Sequence, residues 1–262
     1  LDTVNDNLFL YAKWTEVTPE VGYETALKDV LQYINVTVAD PAVGSTNGEW
    51  AVISLARGNV EDQNWYDRYL MNLKTYVAEK DGILSTSRYQ YTEYSRVSLA
   101  ITALGMDATA FTASNDQVYN LIQPLLDQGE DGKYYPMYQG NNSIAFALIA
   151  LDSANYYPEA KTARAAYIDA LKENQLESGL WSISGNTANV DTSAMVLQAL
   201  APYYKDETKF NTLGTETTFQ QLKAMVEDAL AALKERADET GNYGSSEAAD
   251  QILVALCSLG ID

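Results

Sequence analysis

Five segments of the chain repeat one pattern, and that repetition limits the fold more than any other feature. "EWAVISLARG", "YSRVSLAITALG", "NNSIAFALIALDS", "DTSAMVLQALAP" and "EAADQILVALCSLG" each place small residues and a leucine late in an apolar helical run. Aligned on Leu55, Leu104, Leu151, Leu200 and Leu256, they recur every 49, 47, 49 and 56 residues. A period of this length is the mark of a repeat architecture built from supersecondary units. Nine residues before the first four leucines stand Thr46, Ser95, Asn142 and Asp191, with Ser246 and Glu247 near the same place in the fifth. Side chains of these types accept hydrogen bonds from the free N–H groups of a helix start, so they are expected at the N-caps.

Between the repeats lie helical patterns over about 19–34, 63–79, 115–127, 158–174 and 215–237. "TFQQLKAMVEDALAALKERA" and "YETALKDVLQYI" carry one apolar stripe and a charged back, as a helix with one face in water does. The repeat helices are apolar nearly all round and are expected to be enclosed by neighbours. Alternating enclosed and one-faced helices imply stacked helical hairpins, either as an open solenoid or as a closed ring with the enclosed helices inside.

Composition removes several chemistries. A formal charge of −19 argues against nucleic acid and anionic membrane as partners, both of which need clustered Lys and Arg, and no apolar run is long enough to span a bilayer. The 262 residues contain no histidine, the commonest general base and transition-metal ligand, and one cysteine, Cys257, set in the apolar stretch "QILVALCSLG". Catalysis would have to rest on carboxylates, tyrosines and hydroxyls. The loop "DQGEDGKYY" at 127–135 has a glycine at the sixth place of a calcium loop. Gly129 and Tyr138 replace two of the ligands such a loop needs, and a solvated turn is expected there.

Glycine and an aromatic residue precede or open the enclosed helices in "GEW" (48–50), "GKYYP" (132–136), "GLW" (179–181) and "GNYG" (241–244). Glycine supplies backbone angles closed to other residues, and the aromatic residue covers the junction to the next hairpin. On a packing reading, Trp50 and Trp181 staple one repeat to the next.

"QLESGLW" (175–181) matches the Q-x-x-x-G-x-W repeat of squalene–hopene and other triterpene cyclases, and the pattern over 17–262 resembles the prenyltransferase and terpenoid-cyclase α/α toroid. The resemblance implies an all-α ring of inner helices wrapped by outer ones, a scaffold shared with protein prenyltransferases, the complement thioester domain and the cobalamin-binding ring of transcobalamin and intrinsic factor. Five hairpins are visible where such rings commonly hold six, so the 17–262 domain is expected to continue beyond its C-terminus. "NVDTSAMVLQAL" and "SSEAADQILVALCSLGID" look most like transcobalamin-like rings of bacterial surface proteins. "NDNLFLYAKWTEV" (5–17) alternates as a short strand does, and "LYAKW" resembles the closing strand of the Listeria–Bacteroides repeat. Residues 1–16 are therefore expected to be the remnant of a β module or a linker.

The defining residues of the enzymatic members are absent. There is no D-x-D-D proton donor, no histidine for the prenyltransferase zinc site and no thioester cysteine–glutamine pair. The resemblance then implies a non-catalytic, extracellular ligand-binding or adhesion module of a bacterial surface protein, with no required cofactor. A corrinoid is its first candidate small molecule, and neighbouring surface modules are its companions in the parent chain. In a ring of parallel inner helices, N-termini gather at one mouth and favour anionic or strongly hydrogen-bonding groups. Thr46, Asn47, Arg96, Asn142, Asp191, Thr192 and Glu247 would give that mouth polar groups; Trp50, Tyr94, Tyr134, Tyr135, Trp181 and Tyr243 would line its rim. Arg96 is the single cation beside a repeat-helix start, with ligand contact or a salt bridge to Glu93 or Glu49 as its two readings. Three alternatives stay open: a glycosidase or lyase using a carboxylate pair drawn from Glu93, Asp191, Glu247 and Asp250, a terpenoid-cyclase- or prenyltransferase-like enzyme lacking the usual motifs, and a bare spacer or docking platform.

Overall fold

The computed structural model describes residues 22–87 and 90–261, so the expected strand at 5–17 lies outside the described residues. The described chain is all-α in class: ten α-helices against one two-stranded hairpin. It divides into two compact units, residues 22–163 and 164–261.

The first unit contains α1 (Tyr23–Thr37), α2 (Ala51–Arg57), α3 (Gln63–Glu79), α4 (Thr92–Ala103) and α5 (Asn141–Ser153). A π-helical turn, Thr46–Trp50, leads directly into α2. α3 buries Trp65, Tyr69, Leu73 and Val77, a four-residue spacing that forms one stripe. α4 and α5 pack on each other and bury residues on most sides, including Val97, Ala100 and Ile101 from α4 and Ile144, Ala147, Leu148 and Leu151 from α5. Enclosed repeat helices and a one-faced helix between them are thus present as expected. The helix expected over 115–127 is absent. β1 (Phe111–Thr112) and β2 (Val118–Tyr119) pair there as a hairpin, and a 3₁₀ turn, Gln123–Leu126, follows. The physical reason is local: Asp116 adopts φ 60° in the hairpin turn and Pro124 lacks the N–H a continuing helix needs.

The second unit comprises α6 (Lys161–Glu173), whose first turn the division crosses, α7 (Val190–Tyr204), α8 (Glu207–Asn211), α9 (Phe219–Arg236) and α10 (Ser246–Leu259). α7 packs against both α9 and α10 and buries Ala194, Val196, Leu197, Ala199, Leu200 and Ala201. α9 begins with a capping box: Thr218 Oγ1 accepts from the Gln221 N–H while Gln221 Oε1 accepts from the Thr218 N–H.

One turn recurs in both units. Gly129, Leu176 and Asp238 each donate their N–H to the carbonyl four residues on, and Gly132, Gly179 and Gly241 donate back to the same three residues, at 2.8–2.9 Å throughout. These are three-residue hairpin loops whose last residue must be left-handed, and the three glycines have φ of 75°, 80° and 80°. Each turn has Glu second and an aromatic sixth: Glu130 and Tyr134, Glu177 and Trp181, Glu239 and Tyr243. Gly48 works differently. It lies inside the π turn, where a Cβ would meet the Ala42 carbonyl oxygen at 2.2 Å.

The expected N-caps are displaced. Helices begin one to four residues earlier than the aligned polar residues, with Ser45, Tyr91, Gly140, Asn189 and Ser245 at the cap positions of the π turn, α4, α5, α7 and α10. Asn189 Oδ1 accepts from the Thr192 N–H at 2.7 Å, and Ser245 Oγ from the Ala248 N–H at 3.1 Å. Asn142, Asp191 and Glu247 fall in first turns, where a carboxylate still gains from the helix dipole. Ser95 lies deeper, fully buried on α4.

Candidate functional site

In the 22–163 unit, side-chain contacts tie the π turn to the starts of α4 and α5 and to a second 3₁₀ turn, Tyr135–Tyr138. Trp50, the last residue of the π turn, lies against Phe146 of α5 with ring centroids 5.5 Å apart. Tyr91, capping α4, stacks on Tyr135 at 4.9 Å and 11° between planes, and Tyr135 in turn meets Tyr138 at 6.0 Å. Thr92 and Gln139 bond reciprocally: the Thr92 N–H donates to Gln139 Oε1 at 3.0 Å, and Gln139 Nε2 to Thr92 Oγ1 at 2.8 Å. The Tyr138 hydroxyl donates to Asp131, whose carboxyl is held below the usual carboxylate range by that bond and by the Lys133 N–H.

Beneath the π turn lies an ionic cluster. Glu49 has no exposed surface, and its carboxylate accepts from the Gly44 N–H at 3.1 Å to each oxygen, from the Tyr69 hydroxyl at 3.1 Å and from Arg96 Nε at 3.0 Å. Arg96 Nη2 donates to Glu93 at 2.6 Å. Both carboxylates named as salt-bridge partners in the sequence therefore hold Arg96. Burial, followed by the charge of Glu49 and its hydrogen bond, pushes the Tyr69 phenol well above its ordinary range, so it stays a donor. Burial also lifts Tyr91, with the neighbouring Tyr94, Tyr135 and Asp127 adding to the effect, to about 12.

The residues singled out from the sequence divide between the units. Trp50, Tyr94, Arg96, Tyr135 and Asn142 occupy the connected segments just described. Trp50 is 37% exposed and Tyr135 half-buried, whereas Tyr94 is 4% exposed and accepts a hydrogen bond from the Leu84 N–H. The Asn142 Oδ1 is buried and meets no donor. In the 164–261 unit, Asp191 and Thr192 open α7, and Tyr243 and Glu247 flank the start of α10. Trp181 is not on a rim. It is fully buried; its N–H donates to Ser193 Oγ at 2.9 Å and its Nε1 to the Leu171 carbonyl at 2.7 Å, as the packing reading requires. Tyr134, at the equivalent place in its turn, is 9% exposed. Asn47 is exposed.

A shallow groove of about 490 Å³ lies between the 175–179 turn and α9. Its wall holds Glu177, Asp228 and Glu235 and no aromatic ring, and the Gln175 amide is already committed to two carbonyls. Among the described residues no group of three or more His, Cys, Asp or Glu is arranged to hold a metal, and no helix is long and apolar enough to cross a membrane. The sequence pointed to Trp50 through its Gly-x-Trp setting. It offered Glu49 only as a partner of Arg96 and gave less warning of Phe146, Tyr91 and Gln139, whose roles depend on contacts between distant segments. No family model, curated protein or solved structure matches the chain.

Proposed function

We propose that this chain is a non-catalytic ligand-binding module built as an α/α toroid and displayed on a bacterial cell surface, with its ligand seat around Trp50. The toroid reading is supported by the 47–56-residue period, the enclosed repeat helices and the turn shared by residues 129–133, 176–180 and 238–242. The surface setting rests on the resemblance of the repeats and of residues 5–17 to surface proteins.

One observation carries the binding reading: Trp50 leaves more than a third of its surface exposed while it rests on Phe146 at the junction of the π turn and α5. An indole packed on Phe146 and partly open to solvent suits a ligand with flat and polar parts. The carboxylate adjoining Trp50 in sequence argues against hydrolysis through that group. A general acid needs a proton it can deliver, and Glu49 is fully buried with both oxygens already accepting hydrogen bonds.

A corrinoid is the first ligand to test. These 262 residues contain no histidine, so the cobalt of a corrinoid bound here would receive no imidazole from them and recognition would rest on the ring and its amides. Calorimetry with cyanocobalamin and with cobinamide, on the wild type and on Trp50→Ala, is the test. Saturable heat that Trp50→Ala weakens at least tenfold supports the reading. Absence of heat at high micromolar corrinoid removes the corrinoid, and binding indifferent to Trp50→Ala removes the seat.

A further inference from the structure

We infer that Arg96 is a positioning residue: acting through Glu49, it fixes the π turn that presents Trp50, and it does not itself touch the ligand. The consequence for binding rests on Trp50 being the seat; the mechanical claim does not.

The π turn is an uncommon backbone form with weak inherent stability, and the helix it leads into, α2, has only seven residues. Its geometry must therefore be imposed from outside, and Glu49 is where that happens. Three donors from three separate segments converge on its carboxylate: the Gly44 N–H from the loop before the turn, the Tyr69 hydroxyl from α3 and Arg96 Nε from α4. Gly48, one residue earlier, presses so closely on Ala42 that no side chain fits between them. Trp50 is the next residue along, so any rotation of the Glu49 backbone re-aims the indole and separates it from Phe146.

The same contacts argue against ligand contact by Arg96. Its guanidinium already serves two carboxylates, Glu49 and Glu93, and its side chain is only 18% exposed. A ligand that drew Arg96 away would strand a fully buried carboxylate without its counter-charge, an expensive arrangement. Two carboxylates against one guanidinium also leave the cluster negative, so it would not attract an anion.

The test is fluorine NMR of the protein labelled with 5-fluorotryptophan, without ligand, the Trp50 resonance being assigned through Trp50→Phe. Arg96→Ala and Glu49→Gln should each move and broaden the Trp50 resonance and leave that of Trp181 in place. Tyr69→Phe, which deletes one hydroxyl, should move it less. The double variant Arg96→Ala/Glu49→Gln should displace it no further than the larger single effect, because both act through one link. A folded Arg96→Ala protein with an unmoved Trp50 resonance overturns the inference. Should Arg96→Ala fail to fold, Arg96→Lys decides, since an ammonium cannot serve Glu49 and Glu93 in the guanidinium's geometry: a shifted Trp50 resonance supports it, and an unmoved one overturns it. Because no ligand is needed, this outcome is independent of whether the corrinoid binds.

Discussion

Gln175 joins the main chain of its own turn to that of α9: its Nε2 donates to the Gly179 carbonyl at 2.8 Å and to the Met225 carbonyl at 2.9 Å. The first residue of the "QLESGLW" motif is thus a two-point tie, and its glycine and tryptophan complete the joint. Gly179 packs on the backbone of Asp228, and Trp181 fills the core beneath α6 while bonding to Leu171.

Removing that tie should be measurable. Gln175→Ala deletes two bonds to main-chain carbonyls, each worth about 0.5–1.5 kcal/mol net, so a loss of roughly 1–3 kcal/mol is expected. Gln175→Glu should lose at least as much at neutral pH, since a carboxylate cannot donate and would face two carbonyl oxygens. Urea unfolding of the three proteins measures both losses; a Glu variant as stable as the wild type would contradict the tie.

Gly179 and Gly132 hold the same place in equivalent turns, with φ of 80° and 75°, but differ in their surroundings. A Cβ on Gly179 would stand 2.9 Å from the Asp228 carbonyl oxygen, whereas one on Gly132 would meet nothing within 4 Å. Gly132→Ala should therefore cost only the left-handed backbone penalty, about 1–2 kcal/mol. Gly179→Ala carries that penalty plus the displacement of α9. Thermal unfolding should rank Gly179→Ala well below Gly132→Ala, and equal midpoints would show that α9 yields freely.

The two tryptophans beside the repeat helices should separate cleanly on truncation. Trp181→Ala empties a fully buried site and leaves the Leu171 carbonyl without its donor, so about 3–5 kcal/mol should be lost. Trp50 is 37% exposed, and Trp50→Ala should lose far less. Denaturant midpoints for the pair check this contrast. A large loss from Trp50→Ala would make that residue a staple like Trp181 and weaken its assignment as a binding seat.

These contrasts mark how far the sequence could be read. Helix positions followed from apolar period: 63–79 coincides with α3, and 215–237 brackets α9 closely. The pairing of Gly with an aromatic residue was legible too, because a left-handed turn position favours a residue without Cβ, although Asp116 fills the equivalent place in the 113–117 turn. The N-caps were not, since Ser95 and Asn142 are polar residues inside helices whose ends are set by Tyr91 and Gly140, neither of which offers a capping side chain bond. Glu49 was legible only in part, as one of two carboxylates that could pair with Arg96. In "NGEW" it has the look of a solvated charge, and only the arrival of Tyr69, Arg96 and Gly44 from elsewhere makes its burial tolerable. The segment 115–127 misled because its apolar residues fit a helical period, while Asn115–Asp116 builds a tight hairpin turn.

Alkaline pH provides the last test. Tyr91 is raised to about 12 in the folded chain, against an ordinary value of 10.0, first by burial and then by Tyr94, Tyr135 and Asp127. A raised pKa means that the fold favours the neutral phenol. Below about pH 10 both folded and unfolded chains hold the proton, and the full contribution of the stack to stability is present. Between about pH 10 and 12 the unfolded chain gives up its proton first, so stability declines across that window as pH rises through the folded value. Tyr69, raised well above its ordinary range by burial and by Glu49, acts in the same direction. Urea midpoints should fall on going from about pH 9 to about pH 11, and Tyr91→Phe should flatten part of that fall. Phenolate absorbance gives the direct readout: the wild-type curve minus the Tyr91→Phe curve should titrate near 12. A difference curve centred at 10 would mean that Tyr91 is freely solvated and that its stack on Tyr135 does not persist in solution.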